Sequence, residues 1–245
     1  MSNSYFMVTG ASSGIGASCC DYLAKGNNKL LLVGRDEQRL SQVAQRLCGT
    51  GHIFKVIDME DESQVIDLVK ELKSSDIKLD GLVCAAGTHQ VKPLRICKQK
   101  DYLSLFSSNV LTVTNILSRV TKIINPGSGI VLLGSAGINR GASAVSAYAA
   151  AKAALDGVMR AAALELSVAG VRVNVVAPGV VKTAMTESFL ASIGESGRED
   201  VIGRHPLGLG DPRDVADLIG FLLSAEARWI TGQTIAIDGG FSISG

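Results

Sequence analysis

YFMVTGASSGIGASCCDYLA, residues 5–24, is the stretch whose reading decides the fold. It opens as a short apolar, β-prone run and breaks into glycines at Gly10, Gly14 and Gly16. It then continues with the small and apolar spacing of a helix. Glycine permits a turn too tight for other residues, and backbone N–H groups at a helix start attract anions. Strand, glycine loop and helix in that order predict a dinucleotide-binding unit whose loop residues Gly10, Ser12, Ser13, Gly14, Ile15 and Gly16 cradle phosphates. Glycine turns after strands are common, so the weight of this reading depends on the rest of the chain.

Working outward, apolar runs recur: KLLLVG at 29–34, HIFKVID at 52–58, LDGLVCAAG at 79–87, SGIVLLGS at 128–135, VRVNVVAPG at 171–179 and TIAID at 234–238. Most are nearly unbroken, as parallel strands covered on both faces must be. Amphipathic stretches at about 14–25, 36–47, 61–74, 100–124, 146–169 and 212–224 lie between them. The expected fold is a single doubly wound α/β domain of Rossmann type spanning 1–245, with a seven-stranded parallel sheet and helices on both faces. Residues 182–210, glycine-rich and irregular, read as a flexible flap over a site.

With 245 residues, 47% hydrophobic, the chain carries a sizeable core. A net charge of +1 gives no electrostatic footprint for nucleic acid or a membrane surface. No apolar run reaches the ~18 residues of a membrane span, and the start MSNSYFMVTG lacks a signal-peptide pattern. Five cysteines without a CxxC pair suit a reducing, cytoplasmic setting, and three unpaired histidines predict no metal.

At the adenine end, an acid closing the second strand would hold a ribose 2′-hydroxyl, whereas an arginine would accept a 2′-phosphate. Here Gly34 is followed by Arg35, whose planar fork suits a phosphate, so NADP(H) is favoured over NAD(H). Asp36 reads as an N-cap for the next helix. Asp58, followed by Met59 at the adenine site, could accept from an adenine amine or cap a helix. Cys84, Ala85, Ala86 and Gly87 are small enough for a cofactor to lie against the fourth strand.

SAYAAAKAAL, residues 146–155, sets Tyr148 and Lys152 one helical turn apart on one face. Taken alone, such a pair more often reads as a partly buried aromatic beside a solvated charge; a phenol is a reluctant acid near neutral pH, and a close ammonium is expected to lower its pKa.

Together, TGASSGIG, Arg35, the AAG of CAAG, the 13-residue step from Ser135 to YxxxK, NVVAPG and ITGQTIAIDGG resemble the short-chain dehydrogenase/reductase family along essentially the whole chain. Within it, the look is nearest to 3-oxoacyl-acyl-carrier-protein reductases. The resemblance implies a catalytic set of Asn109, Ser135, Tyr148 and Lys152, with Ser135 on the substrate oxygen and Asn109 holding a water beside Lys152. Tyr148 and Lys152 would also hold the nicotinamide ribose. It further implies cofactor contacts from Pro178, Gly179, the Val180 backbone and the Thr183 hydroxyl, although Thr183 also reads as a helix cap. It implies a small carbonyl or alcohol substrate, possibly carried on acyl carrier protein, and a homotetramer or homodimer. Departures are Cys84 and Ala85 where the family has asparagines, and Ser13 where many NADP users carry a basic residue. His89, just past the fourth strand, could face substrate but reads first as a surface loop histidine. The expected activity is NADP-dependent interconversion of a ketone and a secondary alcohol. The alternatives are an NAD(P)-dependent reductase of a keto-sugar, polyol or steroid, or a non-catalytic NADP(H) sensor.

Overall fold

The structure, a computed structural model, describes residues 4–244. Its strands are β1 (Ser4–Thr9), β2 (Leu30–Gly34), β3 (Ile53–Val56), β4 (Lys78–Cys84), β5 (Ile124–Leu133), β6 (Arg172–Pro178) and β7 (Thr234–Ile237). They form one sheet in the order β3-β2-β1-β4-β5-β6-β7, and every neighbouring pair is parallel. The order reverses between β1 and β4, which opens a crevice at their carboxyl ends.

Successive strand residues face opposite ways, so each strand feeds two cores. Leu31 and Val33 of β2 join Leu82, Ile130 and Val173 in one, whereas Leu30 and Leu32 join Val8, Val83 and Val131 in the other. The first core is covered by α3 (Glu62–Ser74), α5 (Thr112–Val120) and α7 (Ser146–Leu166). The second is covered by α1 (Gly14–Lys25), α2 (Glu37–Arg46) and α10 (Pro212–Leu223). This double burial is why the strand sequences lack polar alternation.

Local signals set the helix ends. Asp36 caps α2 as expected, accepting from Arg39 N–H at 3.0 Å. The cap of α3 is Asp61, not Asp58, which instead accepts from Glu60 N–H in a tight turn. The helix expected over 100–124 is broken. It runs as α4 (Gln99–Phe106), a π-helical turn over Ser107–Leu111, then α5, and the chain is already in β5 at Ile124. A short α6 (Gly137–Arg140) precedes α7. The 182–210 region is also more regular than its sequence suggests, containing α8 (Ala184–Ser192) and α9 (Gly194–Gly203).

Candidate active site

The glycine loop is built by close approach. Gly10 has φ of +67°, and a Cβ there would lie 2.8 Å from Ala86 N and 2.9 Å from Ala85 O. A Cβ on Gly16 would stand 2.2 Å from Gly10 O. Neither position admits a side chain unless backbone moves. The first turn of α1 has no side-chain cap and no acidic residue, so its N–H groups and positive dipole end face the crevice unopposed. That is an anion cradle, and it fits a dinucleotide pyrophosphate.

A cleft of about 390 Å³ runs from this loop to the end of β3. Gly10, Ser12, Ser13, Gly14, Ile15, Gly16, Arg35, Asp58, Met59, Ala85, Ala86, Gly87 and Thr183 all line it. Asp36, Arg39 and Glu60 join them, none of which the sequence assigned to the cofactor. Arg35 lies 3.9 Å from Asp58 and 3.6 Å from Glu60, while Arg39 pairs with Asp36 at 3.2 Å. Both arginine side chains are more than 60% exposed, so these pairs hold them loosely.

A second cleft of about 140 Å³ adjoins the first and contains Asn109, Ser135, Tyr148 and Lys152. Ile15, Ala85, Gly87 and Thr183 belong to both walls. Asn109 sits in the π-helical turn, where the widened backbone turns its amide inward. Its Nδ2 donates to Leu105 O and Thr88 O, each at 3.0 Å. Its buried Oδ1 has no partner among the described residues. A Cβ on Gly87 would be 2.5 Å from that oxygen and 3.5 Å from Lys152 Nζ, so both groups address one point beside Gly87. An orphaned buried acceptor next to a buried amine is a place for a bridging water.

Lys152 is buried, and its Nζ donates to Leu133 O at 2.7 Å. Burial pushes its pKa down to about 8. Nζ lies 5.9 Å from the centre of the Tyr148 ring. The expected lowering of the phenol is not what this geometry gives. Burial raises the Tyr148 pKa, and a hydrogen bond with Ser135 draws it part of the way back. The physical reason is desolvation: the phenol sits partly out of water, which disfavours its anion more than the Ser135 hydrogen bond favours it. Ser135 Oγ accepts from Gly137 N–H at 3.3 Å, which leaves its own proton free to donate.

Two further expectations are corrected. The Val180 N–H is not available to a ligand, because it donates to His205 Nε2 at 3.1 Å. Val181, its neighbour, lines the second cleft. His89 is half-buried, edge-on to Tyr148 with ring centres 4.6 Å apart and to Phe189 of α8 at 5.5 Å, so it belongs to the site and not to the outer surface. Pro178, Gly179 and Thr183 lie in the second cleft, and Thr183 caps α8 through Thr186 N–H. Asn174 fastens backbone between Ile230 O and Gln233 N–H.

Two clefts sharing a wall at one end of a parallel sheet, one headed by an uncapped helix start and one carrying a phenol and an amine, fit the arrangement of a Rossmann-type oxidoreductase. Comparison with known proteins narrows this. Residues 10–242 match the family described as Enoyl-(Acyl carrier protein) reductase. Carbonyl reductase family member 4 of Danio rerio is 33% identical over 246 residues, covering 97% of both chains. The 3-oxoacyl-[acyl-carrier-protein] reductase FabG of Rickettsia conorii is 33% identical over 245 residues, covering 96% of this chain and 95% of that one. A solved short-chain type dehydrogenase/reductase from Mycobacterium ulcerans superposes with a TM-score of 0.90 at 27% identity, covering 98% and 90% of the two chains. The chain belongs to the short-chain dehydrogenase/reductase family, whose oxidoreductases use NAD(P)(H). Among the described residues, no helix is long and apolar enough to cross a membrane.

Proposed function

We propose that this chain reduces a ketone to a secondary alcohol with NADPH, and that its substrate is a 3-oxoacyl thioester. The observation that carries the reading is the convergence of Ser135, Tyr148, Lys152 and the unpartnered Asn109 Oδ1 on one small cleft that opens into the phosphate-binding one.

The bound dinucleotide supplies hydride. Tyr148, kept in its neutral form by burial, donates its proton to the carbonyl oxygen, and Ser135 holds that oxygen in line. Lys152, an ammonium at neutral pH with a pKa near 8, returns a proton to the phenol. Asn109 Oδ1 accepts from the water that replenishes Lys152. In the reverse direction Tyr148 must act as a base, so oxidation needs alkaline solution. The free Val181 N–H, in place of Val180, holds the nicotinamide carboxamide.

Arg35 and Arg39 flank the far end of the larger cleft, and their exposed ion pairs are weak enough for a 2′-phosphate to displace the carboxylates. This supports NADP(H). The likeness to a 3-oxoacyl-[acyl-carrier-protein] reductase along nearly the whole chain supports the thioester. Residues 182–210 form the flap that closes on it. The chain assembles as a homotetramer, a reading supported by exposed Leu164, Val168, Trp229 and Ile243, and cysteines without a disulfide support a cytoplasmic setting.

Purified protein is mixed with NADPH or NADH and a panel of ketones that includes 3-oxoacyl thioesters. Turnover by Tyr148→Phe at the wild-type rate sinks the acid assignment. Equal kcat/KM for the two cofactors sinks the NADP preference, and reduction of keto-sugars alone sinks the thioester.

A further inference from the structure

The turn after β6 spends its N–H groups in an uneven way. Gly179 donates to Ile237 O at 3.1 Å and Lys182 to Gly210 O at 2.9 Å, both ordinary backbone bonds. Val181 N–H has no acceptor among the described residues, and Val181 lines the reacting cleft. Val180 N–H, between them, is held by a side chain, His205 Nε2. His205 lies just past α9, at the far end of the flap region, and is 4% exposed. Its Nδ1 lies 2.7 Å from Val201 O, and its ring stacks on Phe241 with centres 4.8 Å apart and planes 18° from parallel.

These contacts leave one protonation state. A backbone N–H can only donate, so Nε2 carries the lone pair, and Nδ1–H donates to the Val201 carbonyl. A second proton on the ring removes the acceptor and points N–H at N–H.

We propose that His205 is a positioning residue: as neutral imidazole it clasps Val180 N–H and so turns the unbonded Val181 N–H toward the cofactor. The inference rests on the reading of the cleft as the nicotinamide site. The segment packed on the ring is itself tied down: the Asp238 carboxylate, after β7, accepts from Gly240 and Ser242 N–H, and Arg140 lies over the Phe241 ring at 5.3 Å.

The test compares wild type with His205→Gln, whose amide oxygen occupies the place of Nε2, and His205→Leu, which has no acceptor. Binding of NAD+ and NADP+ to the three proteins is measured by calorimetry at one pH. The expected result is an affinity about five- to tenfold weaker in His205→Leu, the loss of one hydrogen bond, and within about twofold of wild type in His205→Gln. Wild-type affinity in His205→Leu, or an equal loss in His205→Gln, overturns the proposal. Hydrogen exchange of the peptide covering 178–184 provides a readout without cofactor. It is faster in His205→Leu than in wild type, and in His205→Gln it is not. Should no dinucleotide bind to wild type, the cofactor reading fails, and the exchange comparison still decides the clasp. Exchange in His205→Leu identical to that of wild type overturns it.

Discussion

Lys152→Met is expected to make the protein more stable and less active. Wild-type Lys152 is held from 10.5 down to about 8 by burial, so folding at neutral pH carries a penalty of about 3 kcal/mol for keeping that ammonium out of water. Methionine fills much the same volume without charge. It also abandons the 2.7 Å bond to Leu133 O, which returns about 1–2 kcal/mol of the gain. The net expectation at pH 7 is about 1–2 kcal/mol of added stability, or about 3–6 °C in Tm for a chain of this size. The sign follows from linkage. A group whose folded pKa is depressed loses stability as pH falls, here from 10.5 down to about 8, and the penalty is complete below that. The advantage of Lys152→Met is therefore full below about pH 8, shrinks above it and reverses between about pH 9 and about pH 10; above about 10.5 only the lost hydrogen bond remains. Urea unfolding of the cofactor-free chain at three pH values measures this directly. A variant less stable than wild type at pH 7, or an advantage that does not vary with pH, refutes the reasoning.

Ser135→Ala removes the hydrogen bond that draws the Tyr148 pKa downward; the alkaline limb of alcohol oxidation is expected to move to higher pH, with a loss of about ten- to hundredfold at fixed pH, read from kcat against pH. Gly16→Ala places a methyl 2.2 Å from Gly10 O, so the phosphate loop must shift; dinucleotide binding by calorimetry is expected to vanish, with a melting loss equivalent to about 1–3 kcal/mol. His89→Leu removes a ring that meets both Tyr148 and Phe189; a rise in KM for substrate that exceeds any change in KM for cofactor is expected in steady-state kinetics.

The sheet was legible because its strands are buried on both faces, as Leu30 to Val33 show by dividing between two cores. Asp36 and Thr183 were legible as caps because a capping side chain acts within three residues of itself. What escaped were features set by backbone direction and by long-range packing. Choosing Val180 over Val181 requires knowing which N–H the turn consumes, and the consumer, His205, lies 25 residues away in sequence. His89 joins the site because α8 brings Phe189 against it, and no periodicity in 182–210 announces that helix. The spacing of Tyr148 and Lys152 told that they are neighbours. It could not tell that the amine is drawn to Leu133 O or that desolvation dominates the phenol.

The alternation of β2 side chains has a consequence for how such a protein can change. Leu155 and Met159 anchor the helix bearing Tyr148 and Lys152 in one core, whereas Cys19, Leu23 and Leu40 anchor the helices that frame the glycine loop and Arg35 in the other. Substitutions that retune proton transfer and substitutions that retune cofactor choice thus press on separate packings divided by a sheet, and their free energies add. Selection can adjust the two halves in either order, with little debt owed by one to the other.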